Sequence, residues 1–370
     1  MTYCRWPDHA VVVGPQGELK PCCMITHIDM IDITRNPDIP VAPDEVHIDK
    51  LDSLAEFPYT DFSIALRNSI STKGYENTKL CHNCVKQKKM NGRCHADDGV
   101  FKWLNKDWQT YSPGEISYLE ITTSNICNQT CITCNSYFSS KWKTIEHLFD
   151  NRQGWSIAKG QNHVLSDNGF KKILDILPQI KLLHIKGGEP FSDLRNAQIL
   201  ERLAEVNPNC RLWITSNCSI ISKRFMNVLK KFNPENIHMI ASLDGIYKKY
   251  EWIRGTNFEQ TLETCKKLYY DIGILPKVLP TISYFNILDI HEIQDFYTNC
   301  DYLWIDPNGY SHMNRLHEPV EMHHLKTRTQ EELDTLNLDL VSEFNPALLE
   351  ALQRKIEIMN GVRGFRWQDC

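Results

Sequence analysis

From residue 116 onward, short apolar runs alternate with amphipathic stretches. The apolar runs are Ile116–Thr122, Lys181–Lys186, Arg211–Thr215, Ile237–Leu243, Val278–Tyr284 and Tyr302–Ile305. Such near-continuous runs predict strands of a parallel sheet covered by helices. Helical periodicity falls between them, near 136–149, 168–177, 192–206, 221–232, 257–271 and 289–299. In 257–271, for example, Phe258, Leu262, Cys265, Leu268 and Tyr269 share one face. Six strand–helix units predict an open doubly wound sheet or a partial barrel, both of which work at the C-terminal ends of their strands.

The first 115 residues have a different pattern. Ala10–Val13, Gly14-Pro15-Gln16-Gly17 and Glu18–Lys20 predict a small hairpin. A polar stretch with Pro37, Pro40 and Pro43 follows, then Cys81-x2-Cys84. Ser112-Pro113-Gly114 marks a boundary. The expected division is 1–112, a cysteine-rich module; 113–310, the strand–helix domain; and 311–370, a C-terminal extension with a helix near 346–359. No apolar run reaches the roughly 18 residues of a membrane span. The start carries no export signal, so the expected compartment is the cytosol.

Composition narrows the function classes. The 370 residues carry 41 Lys and Arg against 46 Asp and Glu, a formal charge of −5. That balance argues against a nucleic-acid partner held by phosphate contacts. Fourteen cysteines in a chain without an export signal point to metal or redox chemistry rather than disulfides. Cys210, Cys218, Cys265, Cys300 and Cys370 are scattered, like small buried hydrophobes. Cys127, Cys131 and Cys134 are not scattered: they form C-x3-C-x2-C directly after the first strand. A structural zinc site takes four ligands. Three thiolates instead suit a four-iron four-sulfur cluster with one iron left open.

These residues resemble the radical S-adenosylmethionine (radical SAM) superfamily. The other landmarks of the family follow in order: Gly187-Gly188-Glu189-Pro190 after the second strand, Thr215-Ser216-Asn217 after the third, Ser242-Leu243-Asp244-Gly245 after the fourth, then Ile253-Arg254-Gly255 and Phe258. The resemblance implies a partial (β/α)6 barrel of the TIM type with a 4Fe-4S cluster on Cys127, Cys131 and Cys134, and S-adenosylmethionine chelating the open iron. Gly187, Gly188 and Glu189 would meet the cofactor's ammonium, and Ser216, Ser242 and Asp244 its ribose. Strand-end turns and helix caps use the same residue types. The family often has an aromatic residue before the third cysteine. Here it is Thr133, so adenine contacts are expected from Ile132, Tyr137 or the last strands.

Cys4, Cys22, Cys81 and Cys84 resemble the SPASM or twitch modules of the same family, which carry an auxiliary 4Fe-4S cluster. Those modules usually follow the barrel, and here the pattern precedes it. Cys23 competes with Cys22, Cys94 competes with the knuckle pair, and a zinc site would use the same four thiolates. The family resemblance implies an enzyme that reductively cleaves S-adenosylmethionine to a 5′-deoxyadenosyl radical and abstracts a substrate hydrogen. Peptide or protein modification is the leading expectation. A dehydrogenase or epimerase of a small metabolite is the alternative, and a non-catalytic iron–sulfur electron carrier is more remote. A flavodoxin or ferredoxin would supply electrons; no nucleic-acid or membrane partner is expected. For hydrogen return, Cys218 and Cys94 are the candidate thiols, with inert buried cysteine as the competing reading. Two further signals are the basic run Lys86, Lys88, Lys89 and Arg93, and the group His312, His317, Glu318, Glu321, His323 and His324, read as a solvated face and as surface or substrate-contact residues respectively.

Overall fold

A computed structural model describes residues 4–26, 29–30, 39, 41–91, 94, 96, 115–149, 163–306, 314–315 and 346–370. A seven-stranded sheet forms the centre, in the order β2-β1-β3-β4-β5-β6-β7. Its strands are β1 Ala10–Val13, β2 Leu19–Lys20, β3 Tyr118–Ile121, β4 Leu182–Ile185, β5 Arg211–Ser216, β6 Ile237–Ala241 and β7 Lys277–Val278. All neighbours are parallel except β1 and β2. The expected α/β fold with a parallel sheet is the fold observed.

One face of the sheet is covered by helices. Leu119, Ile121, Leu183, Ile185, Leu212, Ile214, Met239 and Ala241 are fully buried there. They share a core with Ile173, Leu200, Leu203, Phe225, Leu262 and Leu268 from the helices Asp167–Ile176, Leu194–Val206, Lys223–Leu229 and Phe258–Ile272. Side-chain caps start each of these helices: Ser166, Asp193, Ser222 and Asn257 accept from the Gly169, Arg195, Phe225 and Gln260 N–H groups. Gly273, at φ +85°, closes the last one in the left-handed region.

Several expectations need correction. The hairpin at 10–20 is not set apart from the strand–helix domain: β1 pairs in parallel with β3, Val12 opposite Glu120, and extends its sheet. The run Val278–Tyr284 is not one strand. It divides into β7 and β8, Thr281–Ile282, because Pro280 has no N–H for the ladder. Tyr302–Ile305 contributes only a bridge from Trp304 to Lys277. The stretch 136–149 is not an α-helix but two short turns, Ser140–Thr144 and Glu146–Leu148. Its polar residues bind the preceding loop instead: Ser139 Oγ donates to Gln129 O at 2.7 Å and the Ser140 N–H to Asn125 O at 2.7 Å.

The amino-terminal part also holds helices at Asp61–Lys73 and His82–Asn91. The first buries Phe62, Leu66 and Ile70, and Thr60 caps it. The boundary at 112–114, Arg93 and the histidine-rich group 312–324 lie outside the described residues. No helix among the described residues is long and apolar enough to cross a membrane.

Candidate functional site

The three-cysteine loop leaves the C-terminal end of β3 and is held on all sides by hydrogen bonds. Asn125 Nδ2 donates to Ser136 O, and the Cys127 N–H to Ser140 Oγ at 3.2 Å. Trp142 Nε1 donates to Cys131 O at 2.9 Å. The Ile132 N–H donates to Ile253 O at 2.8 Å. The C-terminal helix, Pro346–Arg363, adds two cations. Lys355 Nζ donates to Ile132 O at 2.6 Å. Arg363 donates to Thr130 Oγ1 and O at 2.7 and 2.6 Å and to Trp252 O at 2.8 Å. A loop fixed this densely presents its thiols in a set geometry rather than collecting them on demand.

Burial pushes the Cys127 thiol up to about 12, and the charge of Cys131 adds to it. Burial also raises Cys134, with Cys131 and Cys127 as the next causes. The three thiols therefore lie within electrostatic reach of one another. Among the described residues no Cys, His, Asp or Glu trio closes around a point as ligands of a single metal ion do. A four-iron cluster takes its ligands at separate corners, so its donors stand wider than those around one ion. Arg254 Nη1 reaches Cys131 Sγ at 3.6 Å, a cation beside donors that bind metal as thiolates.

The glycines after β4 form a shelf against this loop. Gly187 sits at φ +121°, where a Cβ would meet Thr122 Cγ2 at 2.4 Å. At Gly188 a Cβ would lie 2.2 Å from Ile126 O. The Glu189 N–H donates to that same carbonyl at 2.7 Å. Only glycine lets the two backbones approach this closely.

Glu189 and Ser216, both expected at the cofactor, are bonded to each other. Ser216 Oγ donates to Glu189 Oε1 at 2.7 Å, and the Asn217 and Phe191 N–H groups donate to the same carboxylate at 2.7 and 3.0 Å. Burial raises the Glu189 carboxyl to about 7 against the pull of these donors. Asp244 is likewise engaged: it accepts from the Thr281 N–H at 2.7 Å and pairs with Arg254 Nε at 2.8 Å. Ser242 is half-buried at the end of β6, with its N–H on Ser216 O. Cys218 is 0% exposed at φ +53°. Its free thiol lies in the same core as Cys265, among the helix-side apolar residues.

In the amino-terminal part, Cys4, Cys22, Cys81, Cys84 and Cys94 are all buried. Burial raises Cys4, Cys81 and Cys84, and the remaining causes are chiefly one another and the charges of Cys22 and Cys94. Cys22 receives the backbone N–H groups of Ile25 and Met24. Cys23 is raised by burial and then by Glu120, and lies within reach of Lys186, whereas after burial it is the charge of Cys22 that raises Cys4, Cys81 and Cys84. The structure thus separates two cysteines that adjacency in sequence left in competition.

Sequence reasoning missed Arg254, Lys355 and Arg363 as parts of the loop's support. Arg254 was visible as the middle residue of Ile253-Arg254-Gly255. The two C-terminal cations lie more than 200 residues from the loop they hold, and no local pattern marks them.

Residues 121–297 match the description "Radical SAM superfamily". Nothing among curated proteins matches the chain. Among solved structures, anSMEcpe with bound AdoMet is 13% identical, covering 67% of this chain and 62% of its own, with a TM-score of 0.41. SuiB of Streptococcus suis bound to S-adenosylmethionine is 17% identical, covering 81% and 62%, with a TM-score of 0.35. The same SuiB bound to its precursor peptide SuiA gives 17%, 80% and 60%, with a TM-score of 0.33. The chain thus spans about six tenths of the length of these proteins. The three-cysteine loop, the glycine shelf and strands β4 to β7 lie within the matched region, so residues 121–297, just under half of the chain, are similar to the radical SAM superfamily.

Proposed function

We propose that the chain is a radical SAM enzyme that modifies a peptide or protein. The observation that carries this reading is the three-thiol loop after β3, packed against Gly188 with no room for a side chain. Cys127, Cys131 and Cys134 would hold a 4Fe-4S cluster, and Gly187 and Gly188 would admit S-adenosylmethionine beside it. Once bound, cluster and cofactor supply reductive cleavage to a 5′-deoxyadenosyl radical. The protein's own residues orient and shield. Glu189 joins the β4 end to the β5 end through Ser216 and Asn217. Asn128 joins the cysteine loop to the same place, since Asn217 Nδ2 donates to Asn128 Oδ1 and Asn128 Nδ2 donates to Ser219 Oγ. The ribose contact falls to Ser242, because the bonding of Ser216 and Asp244 is already committed.

Cys4, Cys22, Cys81 and Cys84, with Cys94 beside them, would hold a second, auxiliary 4Fe-4S cluster. Two redox centres and an open-sided sheet suit oxidative modification of an extended chain. An enzyme of a small metabolite is the second reading. A flavodoxin or ferredoxin would supply the electrons in either case.

The test is anaerobic reconstitution, reduction, and mass spectrometry for 5′-deoxyadenosine with deuterium followed from labelled candidate peptides. Formation of 5′-deoxyadenosine supports the enzyme. Its absence with both clusters loaded would reduce the chain to an iron–sulfur electron carrier.

A further inference from the structure

The face of the sheet away from the helices is polar. In register across four strands stand Glu120, His184, Trp213 and His238, with Lys277 two residues further along, opposite Ile240. A closed barrel packs this face with branched apolar side chains. Among the described strand residues it carries Lys186 and Lys277, two imidazoles and one carboxylate, Glu120. That carboxylate is fully engaged: Glu120 pairs with Lys186 at 2.5 Å and with His184 at 3.2 Å, and accepts from Tyr118 Oη at 3.0 Å. Burial opposes its ionisation, but Lys186 and His184 outweigh that and hold it well below the usual range.

On the β5–β7 side no such balance exists. Lys277 is half-buried on this face and, among the described residues, has no carboxylate partner. Its ammonium lies over the Trp304 ring at 5.4 Å. Burial alone lowers its pKa, with no opposing charge. The Trp213 indole N–H is buried without an acceptor among the described residues. His238 packs edge-on against Trp213, ring centres 5.0 Å apart, within reach of the Lys277 charge. Burial first, then Lys277, pushes His238 down to about 4, so at neutral pH it adds no charge of its own. A half-buried cation without a carboxylate partner and a buried donor without an acceptor both carry desolvation costs, which an oxyanion on this face would relieve.

We propose that Lys277, the Trp213 indole N–H and His238 form a carboxylate-binding site inside the barrel, so that the substrate presents an acidic side chain or a free carboxyl terminus there. The proposal rests on the enzyme reading for its substrate, but not for its binding chemistry. The site lies below the strand ends that carry Ser216 and Ser242 and on the same sheet as Glu120, whose charge Cys23 senses.

The test uses the reconstituted full-length protein without S-adenosylmethionine. Its probes are N-acetylglutamate methylamide, N-acetylglutamine methylamide, N-acetylglycine and inorganic phosphate, each titrated by saturation-transfer NMR. The glutamate probe should bind about tenfold more tightly than the glutamine probe, a difference of ~1.4 kcal/mol. Lys277→Met should abolish that preference, and Lys277→Arg should keep it. N-acetylglycine matching the glutamate probe would assign a chain terminus, and weaker binding an acidic side chain; both support the site. Equal binding of acid and amide, an unchanged preference in Lys277→Met, or phosphate outcompeting every carboxylate would overturn it. S-adenosylmethionine cleavage is assayed on the same sample. Failed cleavage with preserved acid preference refutes the enzyme reading and leaves the site standing.

Discussion

Gly188→Ala isolates the glycine shelf with a single methyl group. The new Cβ would sit 2.2 Å from Ile126 O and 2.7 Å from the Asn125 and Ile126 carbonyl carbons. All three are backbone atoms, so no side chain can turn away. Ordinary contact needs well over 3 Å, so the Ile126 peptide must retreat by about 1 Å. That movement opposes the 2.7 Å bond from the Glu189 N–H and drags Cys127, the next residue. Overpacking of this kind costs about 1–3 kcal/mol, and loss of the backbone bond about 1 more. A displacement of about 1 Å at a reacting centre costs on the order of 10²-fold in rate. Denaturant midpoints of the clusterless protein measure the first effect. Iron content and the rate of 5′-deoxyadenosine formation after reconstitution measure the second. Gly361→Ala is the control, because its Cβ meets nothing within 4 Å and it lies in the C-terminal helix. It should be neutral or stabilising by about 0.5–1 kcal/mol. Wild-type stability, iron and cleavage rate in Gly188→Ala would refute the close-approach argument.

Three further outcomes follow from the same geometry. Cys22→Ser should lower reconstituted iron by about half, whereas Cys23→Ser should leave it unchanged, because a two-cluster chain holds about eight irons and Cys22 is the one whose charge, after burial, raises Cys4, Cys81 and Cys84. Arg254→Met leaves Asp244 buried without its 2.8 Å partner. Denaturant unfolding should show a loss of about 3–5 kcal/mol. His238, pushed down to about 4 from an ordinary 6.5, stays neutral in the folded protein while the unfolded chain takes up a proton. Stability should therefore fall as pH drops from about 6.5 to about 4, by at most ~3 kcal/mol from this group. The midpoint of His238→Gln should lack that component of the pH slope.

Much of this architecture was legible in the residue pattern. β3, β4 and β6 fell within the predicted apolar runs, and β5 exceeded its run by Ser216 alone, because each is buried against helices with strong 3.6-residue periodicity. The helix Tyr247–Arg254 was not predicted from periodicity: its last residues, Ile253 and Arg254, were noted only as landmarks of the family. β1 read as part of a separate hairpin because four apolar residues fit an antiparallel pair and a parallel edge equally well. The candidate site residues were singled out by spacing and by resemblance, and of these Gly188, Glu189 and Ser216 lie against the three-cysteine loop or bond one another at the strand ends. Their partners were not visible: spacing identifies Glu189 and Ser216 but cannot reveal that they bond each other. Nor could alternation show that Lys277 lacks an acidic partner among the described residues, a property of its neighbours in space. Cys22 and Cys23, one residue apart, diverge only once the turn after β2 is built.

The central claim is that Cys127, Cys131 and Cys134 together ligate a cluster that serves S-adenosylmethionine cleavage. Iron and 5′-deoxyadenosine should be quantified after anaerobic reconstitution of the chain with all three replaced by Ser, beside the unaltered protein. About half the iron should be lost, given about four irons per cluster, with no 5′-deoxyadenosine formed. Unchanged iron, or continued cleavage, would contradict the account.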